Sequence, residues 1–278
     1  MRAEAEHLNP FGVLLRPAHP EGELGNLSVV DLRALVRRHH LVVLRGFRVP
    51  KTPEGLADYC ARWGAVSVWP FGKVLELVEH DSPEDHIFDN QYVPMHWDGM
   101  YRPQVPEFQI FHCVSAPARE QGGRTTFSNT VLALEHTPPA VRALWAEVTA
   151  TYSRRMAFYD SRTVCPIVSA HPRQGFPVLR YNEPPRAGDA AFVNPPDMTF
   201  AGIPEARLPE LHRTLHDALY GPKSFYAHAW ETSDVVATDN YTLLHGREAF
   251  VHRAPRHLRR VHVLGDPPLD NPHLVSHQ

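Results

Sequence analysis

Apolar positions along this chain fall in short bursts, and the period of the bursts changes along its length. Near the start they have helical spacing. Ser28-Val29-Val30-Asp31 has the form of a capping box, and Leu32, Leu35 and Val36 follow on one helical face, which predicts a helix running to about residue 40. The continuous apolar run at 41–44 predicts a buried strand ending at Arg45-Gly46. Thr52-Pro53-Glu54 opens a second helix, with Thr as N-cap and Pro in the first turn, ending near Trp63-Gly64. From there the pattern turns to strands. They are expected at 66–69 and 74–79 around Pro70-Phe71-Gly72, at 108–115, and after the Gly122-Gly123-Arg124 turn from Thr125 onward. One or two short helices fit 129–148, and a last helix fits 204–219. Short strands then follow at 224–228, 234–238, 241–244 and 256–264. The remainder reads as connection. Residues 1–27 are loops with one strand near 12–15, the polar stretch 79–94 is a mobile loop, and 266–278 is a Pro-rich tail. Residues 152–176 have no clear period and read as a substrate-covering insert or an irregular surface loop. Many short strands separated by turn signals predict a mainly β sandwich or barrel with flanking helices. The absence of repeats and linkers predicts a single domain over 1–278.

Composition narrows this picture. With 43% hydrophobic and 21% charged residues, the 278-residue chain suits one large globular core. Lys+Arg number 28 against 31 Asp+Glu, so no basic excess points to nucleic acid or to a membrane surface. Cys60, Cys113 and Cys165 are odd in number and far apart, which argues against a disulfide framework or a zinc knuckle. Met1-Arg2-Ala3-Glu4 leads into no apolar segment, and no run approaches the roughly 18 apolar residues of a membrane span. A reduced, cytoplasmic protein is expected. The count of 19 His permits a metal site without locating one.

His96-Trp97-Asp98 supplies a location. In extended backbone, residues i and i+2 point to one side, so an imidazole and a carboxylate can hold one ion together while Trp97 points away. Gly99 allows a sharp turn behind them. His245 closes an apolar run and precedes Gly246, which makes it a candidate third ligand; a hydrogen-bonded histidine at a strand end is the other reading. Two His and one carboxylate on one face suit non-haem Fe(II), because coordination positions stay open. Strand alternation over 256–264 sets Arg256, Leu258, Arg260, His262 and Leu264 on one face. Buried arginines need partners, and no acidic residue lies between 249 and 265. An anionic ligand would match their guanidinium forks; a basic patch or a solvated edge strand are the alternatives.

In this order, His96-Trp97-Asp98, Gly122-Gly123-Arg124-Thr125, Asp239-Asn240 with His245, and the Arg-rich segment resemble the taurine dioxygenase (TauD/TfdA) family over about residues 28–264. The resemblance implies a double-stranded β-helix (jelly-roll) core and Fe(II) chemistry, with 2-oxoglutarate and O2 as cosubstrates. It implies His96, Asp98 and His245 as catalytic iron ligands. Arg256 and Thr125 would hold the distal carboxylate of 2-oxoglutarate, and Arg260 the anionic group of the primary substrate. Longer stretches are similar to the PvcB-type branch, which acts after an isonitrile synthase. They include Trp69-Pro70-Phe71-Gly72, Met95 to Tyr101, Glu107 to Val114 and Leu243 to Phe250. That similarity implies a small-molecule substrate, tyrosine isonitrile, oxidised at Cβ to a Cα–Cβ desaturated product with or without decarboxylation or cyclisation. Trp69, Phe71, Met100 and Tyr101 are the candidate pocket walls, and self-association into a homo-oligomer fits the family. A hydroxylase of another small carboxylate or sulfonate is the alternative, with a non-redox zinc enzyme more distant.

Overall fold

Two β-sheets face each other across a layer of apolar side chains. The structure is a computed structural model, and it describes residues 3–20, 22–156, 159–185, 193–251 and 256–277. Among these, the larger sheet has seven strands in the order Ala3–His7, Val13–Pro17, Leu41–Leu44, Val235–Asp239, Gln104–Ser115, His257–Asp270 and Leu75–Val78. The smaller has four, in the order Phe225–His228, Thr125–Asn129, Leu243–Arg247 and Val93–His96. Apart from the hairpin of the first two strands, neighbours in these sheets are distant in sequence, giving the jelly-roll architecture expected from the resemblance.

Period-2 alternation assigns the faces. Phe111 and Cys113 point into the sandwich with Phe127, Val236, Leu243 and Leu258. Phe108 and Ile110 point the other way with Val261 and Val263, and are covered by Leu32, Val36, Leu56, Cys60 and Trp63. The covering residues come from the helices Val29–His39 and Pro53–Ala61 and the turn that follows. Ser28 Oγ accepts from the Asp31 N–H at 3.3 Å and Thr52 Oγ1 from the Gly55 N–H at 3.1 Å, so both helices start where the capping signals place them. Cys60, Cys113 and Cys165 are buried and free.

Four expectations need correction. The first 27 residues contribute two paired strands, Ala3–His7 and Val13–Pro17; the first is a mostly exposed edge strand in which only alanines alternate with Glu, too weak an apolar signal to mark it. Residues 66–69 form no strand, only single bridges from Val66 to Val263 and from Trp69 to Gly72, because the Pro70-Phe71-Gly72 turn closes at once. The stretch 152–176 is not irregular. Thr149–Met156 and Tyr159–Pro166 pair with each other and join Asp197–Ala201 and Leu274–His277 in a third sheet. Its buried positions include Ser161 and Thr163, so the alternation is present in burial but not in hydrophobicity. The Pro-rich tail is likewise strand, through Asp270 and again at Leu274–His277. No helix of the described residues is long and apolar enough to cross a membrane.

Candidate metal centre and its two cavities

Val93–His96 and Leu243–Arg247 lie side by side in the smaller sheet, in a register that sets His96 against His245. Gly246 permits this approach, since a Cβ there would lie 2.4 Å from the Val93 carbonyl oxygen. The two imidazole centroids are 4.2 Å apart. Asp98 follows two residues after His96. Gly99 then turns the chain at φ +93°, against Pro106, where a Cβ would come within 2.6 Å of Cδ. His96 Nε2 stands 3.7 Å from Asp98 Oδ1, and His245 Nε2 3.6 Å from Asp98 Oδ2. The three donor atoms lie within 4.8 Å of one another. His245 thus sits inside its strand, as a member of the cluster.

The surroundings prepare these groups for a cation. His96 Nδ1 lies 2.9 Å from the Pro94 carbonyl oxygen, so Nδ1–H donates there and Nε2 keeps its lone pair. Burial pushes the pKa of both His96 and His245 down, which keeps the imidazoles neutral. Burial would raise the Asp98 pKa, but the Arg260 guanidinium, with the hydrogen bond from His262, holds it well below the usual carboxylate range. Asp98 Oδ2 accepts from Gln109 Nε2 at 2.8 Å, Arg260 Nη1 at 2.7 Å and His262 Nε2 at 2.8 Å. Asn240 fixes the backbone: it accepts from the Asp98 N–H at 3.0 Å and returns a bond to the Asp98 carbonyl at 2.8 Å. Two neutral imidazoles and one ionised carboxylate with orienting partners form a donor set that fits Fe(II).

The triad lies where two cavities adjoin. The smaller, about 50 Å³, is lined by His96, His245, Phe111, Thr125, Leu258 and Arg256, among others. Arg256 is buried, donates to the Gly123 carbonyl at 3.3 Å and lies 5.3 Å over the Phe250 ring. Among the described residues no carboxylate pairs with it. Burial, followed by the nearby Arg247, disfavours its charge, and an anionic ligand would restore the balance. Thr125 Oγ1 accepts from Trp230 Nε1 at 2.9 Å, which leaves its own hydrogen to donate. The larger cavity, about 180 Å³, is lined by Trp69, Phe71, Met100 and Tyr101, together with His96 and Asp98. Trp69 stacks on the exposed Phe71 at 5.5 Å, while Met100 and Tyr101 are buried.

Arg260 departs from expectation. It borders both cavities, yet its Nη1 is committed to Asp98. The acidic partner missing from 249–265 is supplied from 162 residues away. The stretch 79–94 is also more built than a loose loop. It holds a 3-10 turn at His86–Phe88, and Arg247 gathers its carbonyls, donating to Ile87 at 3.0 Å, Gln91 at 2.6 Å and also Asp89. A guanidinium supplies the donors that an irregular backbone lacks.

Several residues of the site escape a reading by sequence. His262 shares the strand parity of Arg260, and Asn240 belongs to the Asp239-Asn240 pair already singled out, so both had a signal in the sequence although their contacts to Asp98 did not. Gln109 looks like any polar residue of a strand. Asp85, His86 and Arg154, which also line the larger cavity, lie in segments without a period.

Residues 15–262 match the model of the family described as "Taurine catabolism dioxygenase TauD, TfdA family". The chain belongs to this family, and it is an oxidoreductase of the Fe(II)- and 2-oxoglutarate-dependent oxygenase class. It is 52% identical over 274 residues to a tyrosine isonitrile desaturase of Pseudomonas aeruginosa, covering 99% of this chain and 94% of that one. It is 51% identical to a protein of the same name from Erwinia amylovora, over 95% of this chain and 91% of the other. A solved structure described as "PvcB, an Fe, alpha-ketoglutarate dependent oxygenase from an isonitrile synthetic pathway" superposes with a TM-score of 0.84 at 46% identity, over 99% of this chain and 96% of that one.

Proposed function

We propose that the protein removes two hydrogens from tyrosine isonitrile, one from Cβ and one from Cα, in the biosynthesis of an isonitrile natural product. The observation that carries this reading is the position of the triad between a small cavity lined by a buried arginine that has no carboxylate partner among the described residues and a larger one with aromatic walls. Two relatives that share half their residues with this chain carry the name of this reaction.

His96, Asp98 and His245 would hold Fe(II). Bound there, the metal couples the two-electron oxidation of the substrate to conversion of 2-oxoglutarate and O2 into succinate, CO2 and water. Arg256 and Thr125 orient the cosubstrate: a buried guanidinium and a hydroxyl donor match one carboxylate. Gln109, Arg260 and His262 keep Asp98 ionised and aimed. Trp69, Phe71 and Met100 enclose the ring and, with the segment tied down by Arg247, exclude water. Three buried free thiols suit a cytoplasmic setting.

Purified protein supplied with Fe(II), 2-oxoglutarate and O2 is expected to form succinate on addition of tyrosine isonitrile, in proportion to a product two hydrogens lighter. Succinate stimulated by taurine or another sulfonate, but not by tyrosine isonitrile, would replace this reading with that of a hydroxylase of small anions. Turnover independent of O2 would point to a zinc enzyme.

A further inference from the structure

We propose, building on the substrate assigned above, that its carboxylate is held by Arg154 together with the Tyr101 hydroxyl. Arg154 stands on Thr149–Met156 in the third sheet and reaches the larger cavity. Its Nη2 is gripped by the Asp85 carboxylate and lies 3.3 Å from His86 Nδ1. Asp85 is only 2% exposed and is itself fixed by the Ile87 N–H at 3.1 Å. The guanidinium is therefore anchored from behind. Its Nε is buried without a hydrogen-bond partner among the described residues, and the buried Tyr101 Oη makes no bond of good geometry, with the Asn182 side chain its one polar neighbour within reach. Both residues border the same cavity. Buried donors left without acceptors are costly, and natural proteins keep them where a ligand supplies the acceptor.

The other arginines on the cavity each have a donor engaged, and neither keeps a buried nitrogen without a partner. Arg260 gives Nη1 to Asp98, and Arg102 lies 4.4 Å over the Trp69 ring while donating to the Val68 carbonyl. The substrate has two polar ends, a carboxylate and a phenol. The phenol is neutral, whereas a guanidinium discriminates in favour of an anion with several acceptor sites. Position agrees with this choice. Arg154 lines the same cavity as His96 and Asp98, so it faces the space beside the triad. The carboxylate, two bonds from Cβ, must lie near the triad as well, while the phenol lies at the far end of the ring.

The test compares three substrates on holoenzyme: tyrosine isonitrile, its analogue without the carboxylate, and phenylalanine isonitrile, which lacks only the phenol. Substrate-stimulated succinate gives KM, and quenching of tryptophan fluorescence without O2 gives binding. Arg154→Lys keeps the charge opposite Asp85 but loses Nε. It is expected to raise KM about 10-fold or more for both carboxylate substrates, and less than about 2-fold for the decarboxylated analogue. Tyr101→Phe, nearly isosteric, should give a smaller loss with the same selectivity, and it carries the test if the Arg154 variant does not fold. Equal losses on all three substrates would overturn the proposal. So would a loss confined to substrates with a phenol, or a carboxylate-selective loss in Arg260→Lys with none at Arg154. Wild-type protein that does not respond to tyrosine isonitrile would overturn the substrate assignment, and this inference with it.

Discussion

Asp98 shows how much one side chain has to be given to act as an anionic ligand in a buried site. Its Oδ2 takes three donors, one of them a guanidinium, and its backbone is clasped on both sides by Asn240. Without them burial would favour the neutral acid, a poor ligand. His245 is kept neutral, with its lone pair free, chiefly by burial and secondarily by the neighbouring His96 and Arg260. His245→Ala is expected to abolish Fe(II)-dependent succinate formation while leaving the melting temperature nearly unchanged, since the protein retains its sheet pairing; activity equal to wild type would remove the third ligand. Arg256→Ala acts elsewhere. Losing a buried charge-assisted contact should cost about 2–5 kcal/mol, appearing as a raised KM for 2-oxoglutarate with little change in substrate KM. Steady-state kinetics varying each substrate in turn will tell, and an effect on the isonitrile alone would take Arg256 out of the cosubstrate site.

The elements around the centre divide the labour. The smaller sheet brings His96 and His245 together by register, the larger presents Arg260 and His262 by alternation, and the third sheet supplies Arg154. The segment 79–94 lines the larger cavity, and its carbonyls are bound by Arg247 of the same strand that carries His245. Arg247→Ala removes the donors to Ile87, Asp89 and Gln91 at once. The expected outcome is faster proteolysis within 79–94 and succinate released in excess of product, because water reaches the site. A variant with unaltered protection and full coupling would show that the segment closes by packing alone.

For the molecule as a whole, buried carboxylates set the response to pH. Asp239 ends a central strand of the larger sheet, accepts from the Tyr241 N–H at 2.8 Å, and has its pKa pushed up to about 7 by burial. The unfolded chain releases this proton near 3.8. Between these values the folded state binds more protons, so stability falls as pH rises, and the full penalty is present above about 7. Asp239→Asn keeps the acceptor and removes the charge. Its melting temperature, relative to wild type, should therefore improve from pH 4 to pH 8, and parallel curves for the two proteins would refute the assignment. Asp234 has the opposite sign. Burial opposes its ionisation, but Arg45 and His228 hold its pKa below the usual range, so its contribution is lost as pH falls through that lowered value.

What could be read directly from the chain was whatever depends on neighbours a few residues apart. The caps at Ser28 and Thr52 and the pairing of His96 with Asp98 are of this kind, as is the shared face of Arg260 and His262, because backbone geometry alone sets which positions coincide. Resemblance carried His245 to the same centre, since no local rule ties it to a residue 149 positions earlier (245 minus 96). Folding settled the partners. Arg260 found Asp98, Asn240 clasped the same residue across 142 positions, and Arg154 was brought to the larger cavity by a sheet whose buried Ser161 and Thr163 hide its alternation. The physical reason is common to all of them: a buried charge is matched by whichever opposite group the packed sheets bring within reach, and that reach is a distance in space that the order of residues does not encode.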